Sequence, residues 1–91
     1  MVTNALKGGG DMKVEIGSCA YGDLESLKKV IKRLAKKLGV ELTDEDISNS
    51  KWFREYKAGY LENRVTKIKG IEFEIEPSFD LSIWWVSAIT W

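Results

Sequence analysis

The stretch that decides the fold is LSIWWVSAITW, residues 81–91, which carries more apolar surface than any other segment of this length. Successive side chains of an extended chain point to opposite faces. The odd-numbered positions form the longer apolar stripe, which consists of Leu81, Ile83, Trp85, Ile89 and Trp91. We therefore predict a strand over 81–91 whose odd-numbered face, with Trp85 at its centre, enters the core.

The even-numbered face of the same stretch is also apolar, because it holds Trp84, Val86 and Ala88. A strand with two apolar faces is typical of a central position or of an interface. We predict that Trp84 and Val86 form a binding surface, with a second copy of the chain as the expected partner. Eleven extended residues would span about 36 Å at roughly 3.3 Å each, so we also expect a bend or bulge near Trp84-Trp85.

Length and charge limit the classes of protein. Ninety-one residues form one domain with a small core. Fourteen basic and fourteen acidic side chains give a formal net charge of zero, which argues against a general attraction to nucleic acid or anionic membranes. A single cysteine excludes an intramolecular disulfide, and no secretory or membrane-spanning run is visible. We expect a cytoplasmic protein without membrane contact.

The composition also indicates the kind of organism that the chain comes from and argues against chemistry that depends on His. The chain has no His and no Gln, while charged residues make up 31% of it. Many Lys and Glu with few thermolabile amides are typical of hyperthermophile proteins, and chance in a short sequence is the alternative. Missing His removes the commonest general base and metal ligand. We predict neither a cofactor nor a metal site.

Residues 1–11 differ from the rest, since they lack periodicity and end in Gly8-Gly9-Gly10-Asp11 before a second methionine, Met12. This segment can be encoded by a ribosome-binding sequence just upstream of an ATG codon. We expect 1–11 to be a flexible leader upstream of the natural start and 12–91 to be the domain. A strand at 2–7, paired onto the next strand, is the alternative.

The next segment alternates apolar and charged residues over 12–16 and predicts a strand, followed by a glycine-flanked loop over 17–22. A helix is predicted over 23–39, with Asp23 as its N-cap and Gly39 just beyond its end. Its apolar residues recur at spacings of three and four: Leu24, Leu27, Ile31, Leu34 and Leu38.

The middle of the chain is less regular. Residues 43–46 carry an acidic helix-start signal with no apolar run behind it, and we interpret 44–46 as a solvated acidic turn. The aromatic residues of 50–62 fit a short second helix, and a loop with buried aromatics is the alternative. Lys69-Gly70 then predicts a hairpin that pairs Ile68 with Ile71 and sets Lys67 opposite Glu72. The expected fold is an α+β domain with a four-stranded mixed or antiparallel sheet, element order β-α-(α)-β-β-β, and helices on one face.

Function is predicted only in outline, as a small non-enzymatic interaction or assembly module that self-associates through the C-terminal strand as a homodimer. Nucleic-acid binding is one alternative, since helix 23–39 carries a basic face. That face consists of Lys28, Lys29, Lys32, Arg33 and Lys36. A small enzyme using Cys19 is the other alternative, although no His is present to act as its base.

Overall fold

The computed structural model describes residues 12–91 and shows a four-stranded antiparallel sheet with three helices. The elements are β1 (Lys13–Ala20), α1 (Leu24–Lys37), α2 (Asp44–Ser48), α3 (Lys51–Ala58), β2 (Val65–Ile68), β3 (Ile71–Pro77) and β4 (Ile83–Thr90). The strand order is β1-β4-β3-β2. The predicted α+β class is confirmed. The predicted leader, and its alternative strand at 2–7, lie outside the described residues.

The C-terminal strand β4 is central, as predicted, but its faces are the reverse of the prediction. Trp84 and Val86 are 3% and 0% exposed, whereas Trp85 is 51% exposed. The even-numbered side chains are buried because β4 pairs Val86 with Ile75 and Ala88 with Phe73 on β3, and directly paired residues share a face. The prediction that Trp85 enters the core, and that Trp84 and Val86 face outward, is wrong.

The predicted bulge in β4 is also wrong, since both of its ladders run in uninterrupted register past Trp84 and Trp85. The strand is shorter than predicted because a turn occupies 78–82. Leu81 has φ 58, and the backbone N–H of Ser82 donates to Asp80 Oδ1 over 3.1 Å. Ser78 Oγ accepts from the N–H of Ile83, also over 3.1 Å, at the point where the strand begins.

Helix α1 is the element that the sequence predicts best. Asp23 caps it, accepting a hydrogen bond from the N–H of Ser26 over 3.1 Å, and Gly39 follows its end with φ 86. Its predicted stripe faces the core, with Leu27, Ile31 and Leu34 fully buried. The same cluster contains buried side chains of α2, α3, β2, β3 and β4.

Strand β1 continues through residues that the sequence assigned to a loop. The predicted loop began at Gly17, but the strand runs to Ala20. Gly17 lies where α1 approaches the strand closely, since a Cβ added there would stand 3.0 Å from Val30 Cγ1. The glycine therefore marks a contact between a strand and a helix rather than a turn.

The acidic segment at 44–46 belongs to helix α2, so its interpretation as a solvated turn is wrong. Thr43 and Asp46 form a reciprocal cap: Thr43 Oγ1 accepts from the N–H of Asp46 over 3.0 Å, and Asp46 Oδ2 accepts from the N–H of Thr43 over 2.9 Å. Ile47 is fully buried and anchors this short helix in the core. Five residues with one apolar anchor give no periodic signal in the sequence.

Helix α3 and the β2–β3 hairpin agree with their predictions. The helix rather than the loop alternative is correct, because Lys51–Ala58 is helical, and Trp52 and Phe53 of this helix are buried, at 1% and 0% exposure. The hairpin pairs Ile68 with Ile71 and Lys67 with Glu72, which is the predicted register. Lys69 and Gly70 both have positive φ, 49 and 83, as a tight two-residue turn requires.

Candidate functional site

The sheet presents a second face, opposite the buried one, whose side chains are exposed or half-buried. One cross-strand row of this face contains Val14, Ile89, Glu72 and Lys67, each directly opposite the next. We call it the outer face. Its residues are Val14, Ile16, Ser18 and Ala20 of β1, Ile83, Trp85, Ser87 and Ile89 of β4, Glu72, Glu74 and Glu76 of β3, and Val65 and Lys67 of β2.

The β1 and β4 half of the outer face is apolar. Ile16 is 66% exposed, Trp85 51% and Val14 43%, while Ile83 and Ile89 are half-buried beside them. Serines at 18 and 87 are the only polar side chains in this half. A contiguous group of exposed apolar side chains on a sheet typically marks an interaction surface.

The β3 part of the outer face is acidic, because Glu72, Glu74 and Glu76 alternate with buried residues along one strand. The pKa of Glu74 is raised above its ordinary 4.5. Burial is the main cause, and the neighbouring charges of Glu76 and Glu72 add to it. The outer face is therefore divided, with an apolar half on β1 and β4 and a row of like charges on β3.

The predicted binding residues Trp84 and Val86 lie in the core instead. The Trp84 ring packs against Tyr21, Trp52 and Tyr56, with centroids 5.2, 5.5 and 5.5 Å away. Trp52 and Tyr56 stack face to face at 4.9 Å. These contacts make Trp84 the centre of an aromatic cluster that joins β4 to α3, so its ring is not available to a partner.

The predicted basic face of α1 is divided between two sides of the helix. Lys32 forms an ion pair with Asp44 of α2, and its hydrogen bond and charge lower the pKa of Asp44. Lys28 Nζ lies 4.0 Å from Glu25 Oε2. On the other side, Lys29 lines a groove beside β1, while Lys36 lies with Lys32 near Leu42. Arg33 lies between the two and lines both.

Cys19 lies inside β1, where it is half-buried and packs against the core. Burial raises the pKa of its thiol, and the charge of Asp23 raises it further. Both effects disfavour the thiolate, which is the nucleophilic form. Within residues 12–91, no group of three or more Cys, Asp or Glu side chains is placed to hold a metal ion.

Comparisons of the chain with protein-family models, with curated proteins and with solved structures found no match. None of the helices in residues 12–91 combines the length and apolar character that crossing a bilayer demands. The outer face is the candidate site that the geometry favours, because its exposed apolar side chains lie side by side on neighbouring strands. Sequence reasoning identified the strand that builds it but chose the wrong side of that strand.

Proposed function

We propose that the protein is a non-enzymatic interaction module that self-associates through the apolar half of its outer face. The observation that carries the proposal is the grouping of Val14, Ile16 and Trp85, all more than 40% exposed, on neighbouring strands of one sheet face. Exposed aliphatic residues around a tryptophan are typical of interface anchors.

A second copy of the chain fits this surface because the face is divided. Consider a two-fold axis that runs along the strands between β1 and β4, with the sheets packed face to face. Strand β1 of each copy then covers β4 of the other. The glutamate row of β3 lies outside the contact, on opposite flanks of the dimer. A formal net charge of zero leaves no overall repulsion between copies.

The size of the apolar half predicts weak association. A tryptophan that is 51% exposed leaves roughly 100 Å² for a partner to cover. Together with the neighbouring aliphatic groups, the patch supplies several hundred Å² per copy, below the roughly 800 Å² of a standard stable interface. We therefore expect a reversible dimer with a Kd in the micromolar range or weaker, on the order of 10–100 µM.

Sedimentation equilibrium over a concentration series tests the proposal. Wild type should shift from monomer to dimer, whereas Trp85→Ser and Ile16→Lys should remain monomeric at concentrations where wild type is dimeric. Tyr60→Ser is the matched control, because Tyr60 is also a largely exposed aromatic residue, 61%, but lies outside the sheet. Urea unfolding of each variant checks that it is folded.

Two outcomes contradict the proposal. One is a wild type that remains monomeric at the highest concentration. The other is a control variant that weakens association as much as the outer-face variants do, because self-association would then depend on general surface hydrophobicity.

A further inference from the structure

Strand β1 is an edge of the sheet that the described residues form, and the backbone groups on its outer side pair with no other strand of that part of the chain. Within residues 12–91 its only strand neighbour is β4. The N–H of Tyr21 donates to the carbonyl of Ser82 over 3.1 Å, which marks this pair as hydrogen-bonded. Antiparallel pairs alternate between bonded and non-bonded. The N–H groups of Ala20, Ser18 and Ile16 therefore point away from β4, toward the free edge.

A groove runs beside this edge, between β1 and α1. Ser18 and Ala20 form one wall, and Ser26, Lys29 and Arg33 of α1 line the other. The Arg33 guanidinium reaches over the strand, since its Nη2 would stand 3.2 Å from a Cβ added at Gly17. No β4 residue lines the groove, so it opens at the side of the sheet rather than within the core.

The groove is positively charged. Among the described residues, no carboxylate oxygen lies within 4.0 Å of Lys29 or Arg33, whereas Lys28, Lys32 and Lys37 each have one. Hydrogen bonds from Ser26 lower the pKa of the Asp23 carboxyl, and the charge of Lys29 adds to this. The same carboxylate caps α1 by accepting from the N–H of Ser26. Lys29 and Arg33 therefore remain available beside the N–H groups of Ile16, Ser18 and Ala20, which no other strand of residues 12–91 pairs. The carbonyl of Ala20 already accepts from the N–H of Asp23 over 3.2 Å, so the outward acceptors begin at Ser18.

We propose that this groove binds an extended acidic segment of a partner protein, which adds to β1 as a further strand. Main-chain hydrogen bonds to the free edge supply the register. Side chains of an added strand alternate between faces, so acidic groups on one side meet Lys29 and Arg33 as charge-assisted pairs. The residues between them extend the apolar half of the outer face, beside Ile16. The preferred segment therefore alternates acidic and apolar residues.

The probe is the capped peptide Val-Glu-Val-Glu-Val-Glu, titrated into the full chain and followed by amide NMR shifts. The expected shifts lie in 14–20 of β1 and 26–33 of α1. The double variant Lys29→Glu/Arg33→Glu should weaken binding about tenfold or more, since both side chains lie on the exposed surface and contact the acidic groups. Lys29→Ala/Arg33→Ala provides a second variant should charge reversal disturb folding. Lys57→Glu, an exposed lysine of α3, is the matched control and should change the Kd less than twofold.

Two further ligands separate strand addition from simple attraction between charges. The same peptide with a fully N-methylated backbone keeps its carboxylates but cannot donate main-chain hydrogen bonds, and it should bind at least tenfold more weakly. Free glutarate should bind more weakly still. Equal binding of the N-methylated peptide or of glutarate, an equal loss with Lys57→Glu, or no shift with the parent peptide at millimolar concentration would each overturn the proposal.

Discussion

The two neighbouring tryptophans of β4 should differ sharply in what they contribute to stability. Trp84 is 3% exposed and contacts three aromatic rings, so Trp84→Ala removes a full aromatic burial and leaves a cavity. Such truncations cost about 3–5 kcal/mol. Trp85 is 51% exposed, so Trp85→Ala removes only about half as much buried apolar surface and should lower the free energy of unfolding by roughly 1 kcal/mol.

Urea unfolding followed by far-ultraviolet circular dichroism measures both changes. The protein should be dilute, so that self-association adds nothing to the apparent stability. A loss of 3–5 kcal/mol corresponds to a fall in Tm of about 12–40 °C for a domain of this size. Trp84→Phe, which keeps an aromatic ring in the cluster, should lose less than Trp84→Ala. Equal losses for the alanine variants at the two positions would refute the assignment of the two faces.

Three further predictions concern the helices and the acidic row. Leu34→Ala should lower the free energy of unfolding by about 2–5 kcal/mol, because Leu34 is fully buried. Lys32→Ala should lower it by less than about 1 kcal/mol, because the ion pair of Lys32 with Asp44 lies at the surface. Thr43→Ala should lose about 0.5–2 kcal/mol by removing the N-cap of α2, again by urea unfolding. The raised pKa of Glu74 means that, just above pH 4.5, the folded state retains a proton that the unfolded chain has released. The free energy of unfolding should therefore fall as the pH rises above 4.5. Glu74→Gln should remove that part of the fall and raise stability at neutral pH, whereas a pH profile of stability that is unchanged above pH 4.5 would contradict the assignment.

The parts of the fold that sequence predicted correctly are those decided locally. Asp23 and Gly39 bound α1 because capping depends on residues within one turn of the helix end. Lys69-Gly70 fixes the β2–β3 register because a two-residue turn leaves only one way to pair the strands. Each of these signals acts through contacts between residues close in sequence, so no knowledge of the sheet order is needed.

The parts that sequence reasoning missed depend on contacts between distant residues. Counting the apolar stripe over 81–91 favoured the odd-numbered face only because it included Leu81 and Trp91, which lie outside β4. Within the strand both faces are apolar, so the neighbouring strand β3 determines which face is buried. Its buried residues Ile71, Phe73 and Ile75 lie on the same side of the sheet as the even-numbered side chains of β4. Helix α2 was missed for a related reason. Its start signal at 43–46 has no apolar run behind it, and one buried residue, Ile47, holds the helix to the core.

The same dependence on β3 bears on the proposed assembly. Side chains alternate between the two faces along β3, so burial of Phe73 and Ile75 places the three glutamates on the outer face. There Glu72 lies opposite Ile89 of β4, and Glu76 lies opposite Trp85. Bringing two such rows together would bury like charges, which costs far more than the apolar contact returns. We infer that the glutamate row restricts self-association to the β1 and β4 half and limits it to a closed pair. Replacing all three glutamates with Gln should then permit larger assemblies, which sedimentation velocity would detect; a triple variant that still stops at a dimer would show that shape, rather than charge, limits the contact.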